Sequence, residues 1–330
     1  MRHRRRKTIP GNGKSILPRL GRAVPHRLVV RAGRCLGLAA YVLDVRHRRI
    51  VRRNLRFTHP EWSPERIRRL SREVFQNTGI TVLEICRMGC LSREEILRSV
   101  RITGEEHLLS ALKNPKGAVI ISAHMGNWEM GFLFTSLYAG TPLVGVARPL
   151  GSRLLNRWVR DLRTRFGNII LDKAGALRDM VRMLRRGKVL GLLIDQGTRR
   201  SEGVEVTFFG HTVTATPVAA LLARRYDCPV LPFFCIREAD DRLTVTAQPP
   251  LRLRKTDDPR ADLVANTQIM THAIEAAIRK YPDQWFWFHK RWKRHYPQLY
   301  PEDLARRQRR REKRLAKIRK TQGGRRKTPC

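Results

Sequence analysis

The sequence predicts an α/β fold: a mixed, largely parallel sheet flanked by helices, with a helical N-terminal region. Three observations predict it. Short apolar runs rich in β-branched residues, GAVIISA (117–123), LVGVA (143–147), NIIL (168–171) and VLGLLID (189–195), alternate with helical patterns, as a parallel sheet with crossover helices requires. The first 115 residues carry no such run and read as helices and connections. The hydrophobic share, 42%, is enough for a packed core.

Residues 1–27 are basic and rich in Gly and Pro, and read as a mobile arm. Residues 28–115 form the helical N-terminal region. A helical stretch over 28–57 ends before Pro60. Ser63, followed by Glu65 and a long periodic run, predicts a capped helix over 63–88. Gly104 opens a short helix, EEHLLSALKN, that stops before Pro115. The α/β core spans 116–298. HMGNWE follows the first strand and a helical pattern runs to about Ala139, with further helices over 152–166 and over 174–186. Further strands are expected at VEVTFFG (204–210) and PVLPFFCI (229–236), with an apolar helix, VAALLARRY, after Thr216-Pro217. LTVTAQ (243–248) reads as an edge strand, and a last long helix covers 259–280. Residues 299–330 are a low-complexity basic tail, read as solvated or surface-bound.

The formal net charge is +40. It is concentrated at the ends: residues 1–56 hold 17 Lys or Arg against one acid, and residues 289–330 hold 17 against three. Such a field attracts nucleic acid, anionic lipid or an acidic carrier protein. The basic residues avoid the α/β centre and no nucleic-acid motif is present, so nucleic acid is the lesser reading. The six cysteines have no CxxC spacing and read as reduced thiols; no metal site is expected. The best membrane candidate, Leu28–Leu43, has 16 residues and contains Arg31 and Arg34. A span needs about 20 mostly apolar residues, so an interfacial helix with snorkelling arginines is expected instead. The aromatic run QWFWFHKRWK (284–293) is expected to bury Trp285, Trp287 and Trp292, with a membrane-interface belt as the alternative.

The chemistry is expected at HMGNWE (124–129). His124 follows an apolar strand at the carboxyl end of the sheet, where α/β folds place ligands. Glu129 comes five residues later, about 140° away on an ideal helix. His124 therefore belongs on the turn and Glu129 in the first turns of the next helix. From there the carboxylate could reach back to fix the imidazole tautomer. Gly126 permits an unusual backbone angle or close approach of substrate. A histidine base suits removal of a proton from an alcohol that attacks a thioester. No GxSxG turn is present, which counts against a serine or cysteine hydrolase with a covalent acyl-enzyme.

Across residues 45–293 the chain resembles the bacterial lipid A late acyltransferases, the lauroyl/myristoyl transferases, within the lysophospholipid acyltransferase superfamily. The resemblance lies in RRNLRFTHPEWSPERIRRLSREVFQNTG, AHMGNWE, GVARPLGSRLLNRWVRDLRTRFG, LGLLIDQG, VEVTFFGHTVTATPVAALLARRYDCPVLPFF and PDQWFWFHKRWK, in that order. It implies a glycerol-3-phosphate acyltransferase-like core and a His-x4-Glu acyltransferase, with His124 and Glu129 catalytic. It implies substrate-binding roles for Arg148, Arg165, Asp195 and Asn127, and matches Thr216 and Pro217 to the family's Thr-Pro. It implies an acyl-carrier-protein or CoA thioester as co-substrate, no other cofactor, and a glycolipid acceptor such as a lipid A precursor. A lysophospholipid or another glycolipid is the alternative acceptor. The family usually begins with a clear hydrophobic anchor; here that region is the arginine-interrupted stretch 28–43, and together with the basic ends it predicts peripheral or monotopic attachment to anionic lipid at the cytoplasmic face of the bacterial inner membrane.

Overall fold

A computed structural model describes residues 22–324; most of the expected basic arm and the last six residues lie outside them. Two helices, α1 (His26–Leu43) and α2 (Val45–Thr58), replace the single expected stretch. The break falls at Asp44, whose carboxylate accepts from the backbone N–H of His47 and so starts α2. Then α3 (Pro64–Met88) begins at Ser63, whose Oγ accepts from the Arg66 N–H at 3.2 Å. The sequence reading missed α4 (Arg93–Ser99), opened by a reciprocal Ser92–Glu95 capping box.

Helices α1 and α3 pack antiparallel through glycine. A Cβ on Gly33 would lie 2.4 Å from the Ile80 Cα, and one on Gly37 would lie 2.2 Å from the Phe75 carbonyl oxygen. The backbones therefore touch directly, as small-residue stripes allow. At 100° per residue, Leu28, Cys35, Leu36, Ala39, Val42 and Leu43 share the opposite sector of α1, with Arg27, Arg31 and Arg34 along one flank. All nine side chains are exposed. No helix among the described residues is long and apolar enough to cross a membrane.

The remaining elements are β1 (Val100–Thr103), α5 (Glu105–Leu112), β2 (Ala118–Ser122), α6 (Trp128–Tyr138), β3 (Val144–Ala147), α7 (Arg153–Thr164), β4 (Ile169–Asp172), α8 (Ala176–Leu184), β5 (Val189–Leu193), β6 (Val204–Phe208), β7 (His211–Ala215), α9 (Val218–Tyr226), β8 (Val230–Arg237), β9 (Leu243–Ala247), α10 (Pro259–Lys280) and α11 (Pro301–Gly324). Seven strands form one sheet in the order β1-β9-β8-β2-β5-β3-β4. All pairs are parallel except β8–β9, so the sheet is mixed and largely parallel. Strand β9 lies inside the sheet, not at its edge; the edge is β1, a short strand in the region read as helical. Strands β6 and β7 form a separate antiparallel hairpin, of which only the first strand was expected.

Strand β2 is buried throughout. Val119 and Ile121 enter one core layer, with residues from α8, α9 and α10; Ala118 and Ile120 enter the other, with residues from α4, α5 and α6. This period-two division of a wholly apolar strand is what a sheet covered on both faces demands. Trp285, Trp287 and Trp292 are at most 1% exposed and pack with Phe208 and Phe209, so they belong to the core rather than to a membrane belt. Residues 301–324 form a helix rather than an irregular tail, anchored at its start by Asp303 between Lys290 and Lys293.

Candidate active site

The site is built at the carboxyl ends of β2 and β5. Their parallel register pairs Ser122 with Leu193, so His124 and Asp195, each two residues further on, emerge side by side. His124 Nδ1 lies 2.8 Å from Asp195 Oδ1. The other carboxylate oxygen accepts from the His124 backbone N–H at 3.2 Å and from Trp285 Nε1 at 2.8 Å. An acceptor-only carboxylate at Nδ1 assigns the proton of neutral His124 to Nδ1 and leaves Nε2 as the basic nitrogen. The imidazole is 24% exposed and its Asp195 partner 2%. Burial lowers the His124 pKa, but the charge and hydrogen bond of Asp195, helped by the charge of Glu129, raise it overall above 6.5. Burial pushes Asp195 up, yet the His124, Trp285 and backbone contacts hold it well below the usual carboxylate range.

The loop carrying His124 is fixed from three sides. Phe286 N–H donates to the His124 carbonyl, and Gly126 N–H to that of Gln284. Thr81 Oγ1 on α3 donates to the Gly126 carbonyl at 3.0 Å. Gly126 has φ +55°, and a Cβ there would lie 1.9 Å from the Cys235 carbonyl oxygen. The glycine is thus required by a turn pressed against β8, not by approach of substrate.

Glu129 sits in the first turn of α6, as expected. Its carboxylate does not hydrogen-bond to the imidazole. It accepts from Arg163 Nε at 2.9 Å and from Arg163 Nη2, with Trp128 Nε1 at 3.2 Å. The expected His–Glu hydrogen bond is replaced by two separate pairs, His124–Asp195 and Glu129–Arg163. The physical reason is that Asp195 occupies Nδ1 and the α7 guanidinium, better matched to a carboxylate, occupies Glu129.

The other expected residues separate as follows. Asp195 is at the centre. Asn127 is fully buried: its Oδ1 caps α6 by accepting from Met130 N–H, and its Nδ2 donates to Glu84. Glu84 also accepts from both terminal nitrogens of Arg237 and lies 2.9 Å from His26 Nε2. Asn127 therefore ties the His124 loop to this buried network, with both ends of its side chain engaged by the protein. Arg165 is exposed and donates to the Met88 and Gly89 carbonyls, capping the end of α3. Arg148 is exposed, with a charge close enough to Lys173 to add to the lowering that burial imposes on that amine. Neither arginine reaches Glu129.

Three residues near the site were not singled out in the sequence. Arg163 is two residues from Arg165, about 200° round α7; only the packing of α7 on α6 tells the two apart. His289 accepts weakly from Gly197 N–H at 3.4 Å and is held neutral, with a pKa lowered to about 4, by burial among neighbouring cations. Arg291 is buried, donates to the Thr214 carbonyl and lies over Phe208, with burial lowering its pKa to about 10. The HKR run in 289–291 was the available signal for both. Beside the site, α7 presents Leu154, Leu155 and Trp158 to the outside.

Comparison with known proteins identifies the family. Residues 15–294 match the family model for bacterial lipid A biosynthesis acyltransferases. The chain is 26% identical over 273 residues to a lipid A biosynthesis lauroyltransferase of Escherichia coli K12, covering 82% of this chain and 87% of that protein. It is 24% identical to the palmitoleoyltransferase of the same strain, covering 82% and 86%. A phosphatidylinositol mannoside acyltransferase of Mycolicibacterium smegmatis is 27% identical over 213 residues, 63% of this chain and 67% of that one. With most of its length matched, the chain is an acyltransferase and belongs to the bacterial lipid A biosynthesis acyltransferase family.

Proposed function

We infer that the protein transfers a fatty acyl group from an acyl-carrier-protein thioester to a hydroxyl of a lipid A precursor. The observation that carries the reading is the hydrogen bond between buried Asp195 and a His124 imidazole that keeps one edge exposed. The acceptor hydroxyl gives its proton to His124 Nε2 while its oxygen attacks the thioester carbonyl. Asp195 stabilises the imidazolium, as the carboxylate of a catalytic triad does. Collapse of the tetrahedral intermediate breaks the C–S bond, and the imidazolium returns the proton to the leaving thiolate. Arg163, kept in place by Glu129, supplies positive charge for the developing oxyanion. Glu129 thus assists through Arg163 and through its charge, not by touching the base. The relatives' glycolipid acceptors, and a basic chain suited to phosphorylated sugars and to an acidic carrier protein, support the choice of substrates.

Attachment is monotopic, at the cytoplasmic face of the inner membrane, through the exposed apolar sector of α1 with its flanking arginines. The test of the reaction is His124→Ala with acyl-carrier-protein thioester and lipid A precursor, read by mass spectrometry. A loss of at least about 100-fold with an unchanged circular dichroism spectrum is expected of a general base. Near-parental turnover would overturn the reading. The test of attachment is fractionation with salt and carbonate washes; recovery in the soluble fraction at low salt would contradict it.

A further inference from the structure

The α1–α3 hairpin carries an arginine-lined cleft that the reaction does not use. Its volume is about 550 Å³, and Tyr41, Ser63, Glu65, Arg66, Arg68, Arg69 and Arg72 line it. The sequence makes it in two steps. In the first turns of α3 the residues Ile67, Leu70, Ser71 and Val74 are buried, which leaves the intervening arginines on the outside. Because α1 runs antiparallel to α3, its last turn then places Tyr41 beside them, with the Tyr41 ring edge-on to Phe75 at 5.5 Å.

Helix α2 adds two more guanidinium groups around the same tyrosine. Arg48 and Arg52 lie 5.4 and 5.6 Å from the Tyr41 ring centre, and Arg52 Nη2 donates to the Tyr41 hydroxyl at 2.6 Å. Arg66 is held over the Trp62 ring at 4.0 Å. Against this stand few acids. Glu65 is paired with Arg68 at 2.5 Å, and Glu73 lies 3.9 Å from Arg69. Among the described residues, no carboxylate lies within 4.0 Å of Arg48, Arg52, Arg66 or Arg72. Arg52 Nε is buried with no acceptor. Like charges gathered around one aromatic ring repel, and an anion with several oxygens relieves the repulsion. The guanidinium fork fits a phosphate better than any other biological anion except a carboxylate.

The position selects the carrier of that phosphate. Thr81, which touches the catalytic loop, is nine residues from Arg72 and fifteen from Arg66, roughly 14 and 23 Å along α3. The cleft is therefore separate from the reacting groups. It instead adjoins Val42 and Leu43, the latter 80% exposed, at the end of the apolar sector of α1. An apolar surface that ends in arginines and a tyrosine matches the boundary between acyl chains and headgroups. A nucleic acid would gain nothing from the apolar half. We propose that this cleft binds the phosphate of an anionic phospholipid headgroup while α1 lies in the acyl layer. The assignment rests on the membrane attachment inferred above and fixes how the hairpin is seated.

The test uses the purified full chain and two vesicle types: phosphatidylcholine alone and phosphatidylcholine with phosphatidylglycerol. The variant is Arg66→Gln/Arg72→Gln. The control is Arg309→Gln/Arg310→Gln, which removes the same charge from exposed positions on α11. Flotation with phosphatidylglycerol vesicles should fall at least about tenfold further in the cleft variant than in the control, with no such gap on phosphatidylcholine alone. Calorimetry with inorganic phosphate and with monomeric short-chain phosphatidylglycerol separates the sources: the lipid should bind the parent, and the cleft variant should lose it. Equal losses in the two variants would overturn the site. Binding of inorganic phosphate as tight as that of the lipid, or a cleft-dependent loss of RNA binding without a loss of flotation, would overturn the lipid assignment. Acyl transfer to detergent-dispersed acceptor should be the same in both variants. A failure of the cleft thus leaves the acyltransferase reading standing.

Discussion

Replacing Asp195 with asparagine removes one charge and keeps the shape, and so isolates what the carboxylate does. Three donors converge on it: His124 Nδ1, the His124 backbone N–H and Trp285 Nε1. An asparagine must turn its NH2 toward one of these sides. If it faces Nδ1, the imidazole proton moves to Nε2 and the base is lost; if it faces Trp285, two donors oppose each other in a buried space. The electrostatic cost is also definable. Charge centres about 4 Å apart interact by about 4 kcal/mol at an effective dielectric of about 20. At about 1.4 kcal/mol per decade that is close to a thousandfold in rate. The remaining charge of Glu129 softens this, so a fall in kcat of roughly 100- to 1,000-fold is expected.

The pH profile gives the sign. His124 must be neutral to act, and its pKa in the folded protein lies above 6.5, so the rate rises as pH rises through that raised value. Without the Asp195 charge, burial dominates and the acidic limb moves to lower pH. Single-turnover rates across the neutral range measure both quantities. Glu129→Gln, whose carboxylate is engaged by Arg163, should shift the limb less. A larger shift for Glu129→Gln than for Asp195→Asn, or an Asp195→Asn enzyme with the parent's rate and limb, would refute the assignment.

Three other outcomes follow from the geometry. Arg163→Ala should lower kcat by at least about tenfold, judged by loss of a charged donor at the site, while Arg165→Ala and Arg148→Ala leave kcat near the parent's; equal effects at all three would refute the pairing with Glu129. Glu84→Gln leaves Arg237 buried without its counter-charge and should cost about 3–5 kcal/mol in denaturant unfolding. Contacts with His26, Arg237 and Asn127 outweigh burial and hold the Glu84 pKa at about 2, so its stabilising contribution is present above the usual 4.5 and is lost as pH falls toward 2. Gly126→Ala should lower the melting temperature through left-handed strain of about 1–3 kcal/mol, plus the clash with the Cys235 carbonyl.

The strands easiest to read were those buried on both faces, because a run such as AVIIS leaves no other reading. Strand β1, VRIT, is short and carries an arginine, and only its pairing with β9 makes it a strand. LTVTA alternates like an exposed edge, yet β1 covers its far side. At the site, His124 was legible from its place after β2 and Glu129 from its place in the following helix. The pairings were not, although Asp195 itself was marked as a site residue, because both contacts are long-range. Asp195 reaches His124 through strand register across 71 residues, and Arg163 reaches Glu129 through the phase of α7 across 34. A local motif records which groups are present and leaves unstated which of them touch.

The buried network of Glu84 with Arg237, Asn127 and His26 bears on how the chain can be divided. Glu84 belongs to α3 and His26 to α1, whereas Arg237 and Asn127 belong to the α/β core. Isolating residues 116–298 would take Glu84 from Arg237 and Asn127, and leave the guanidinium with the Asp241 carbonyl but no counter-charge. The core so isolated would expose the face that α3 covers and lose the shape of the loop that presents His124. The helical hairpin consequently holds the His124 turn in place as well as being a candidate anchor, and an active minimal fragment of this enzyme has to begin before α1.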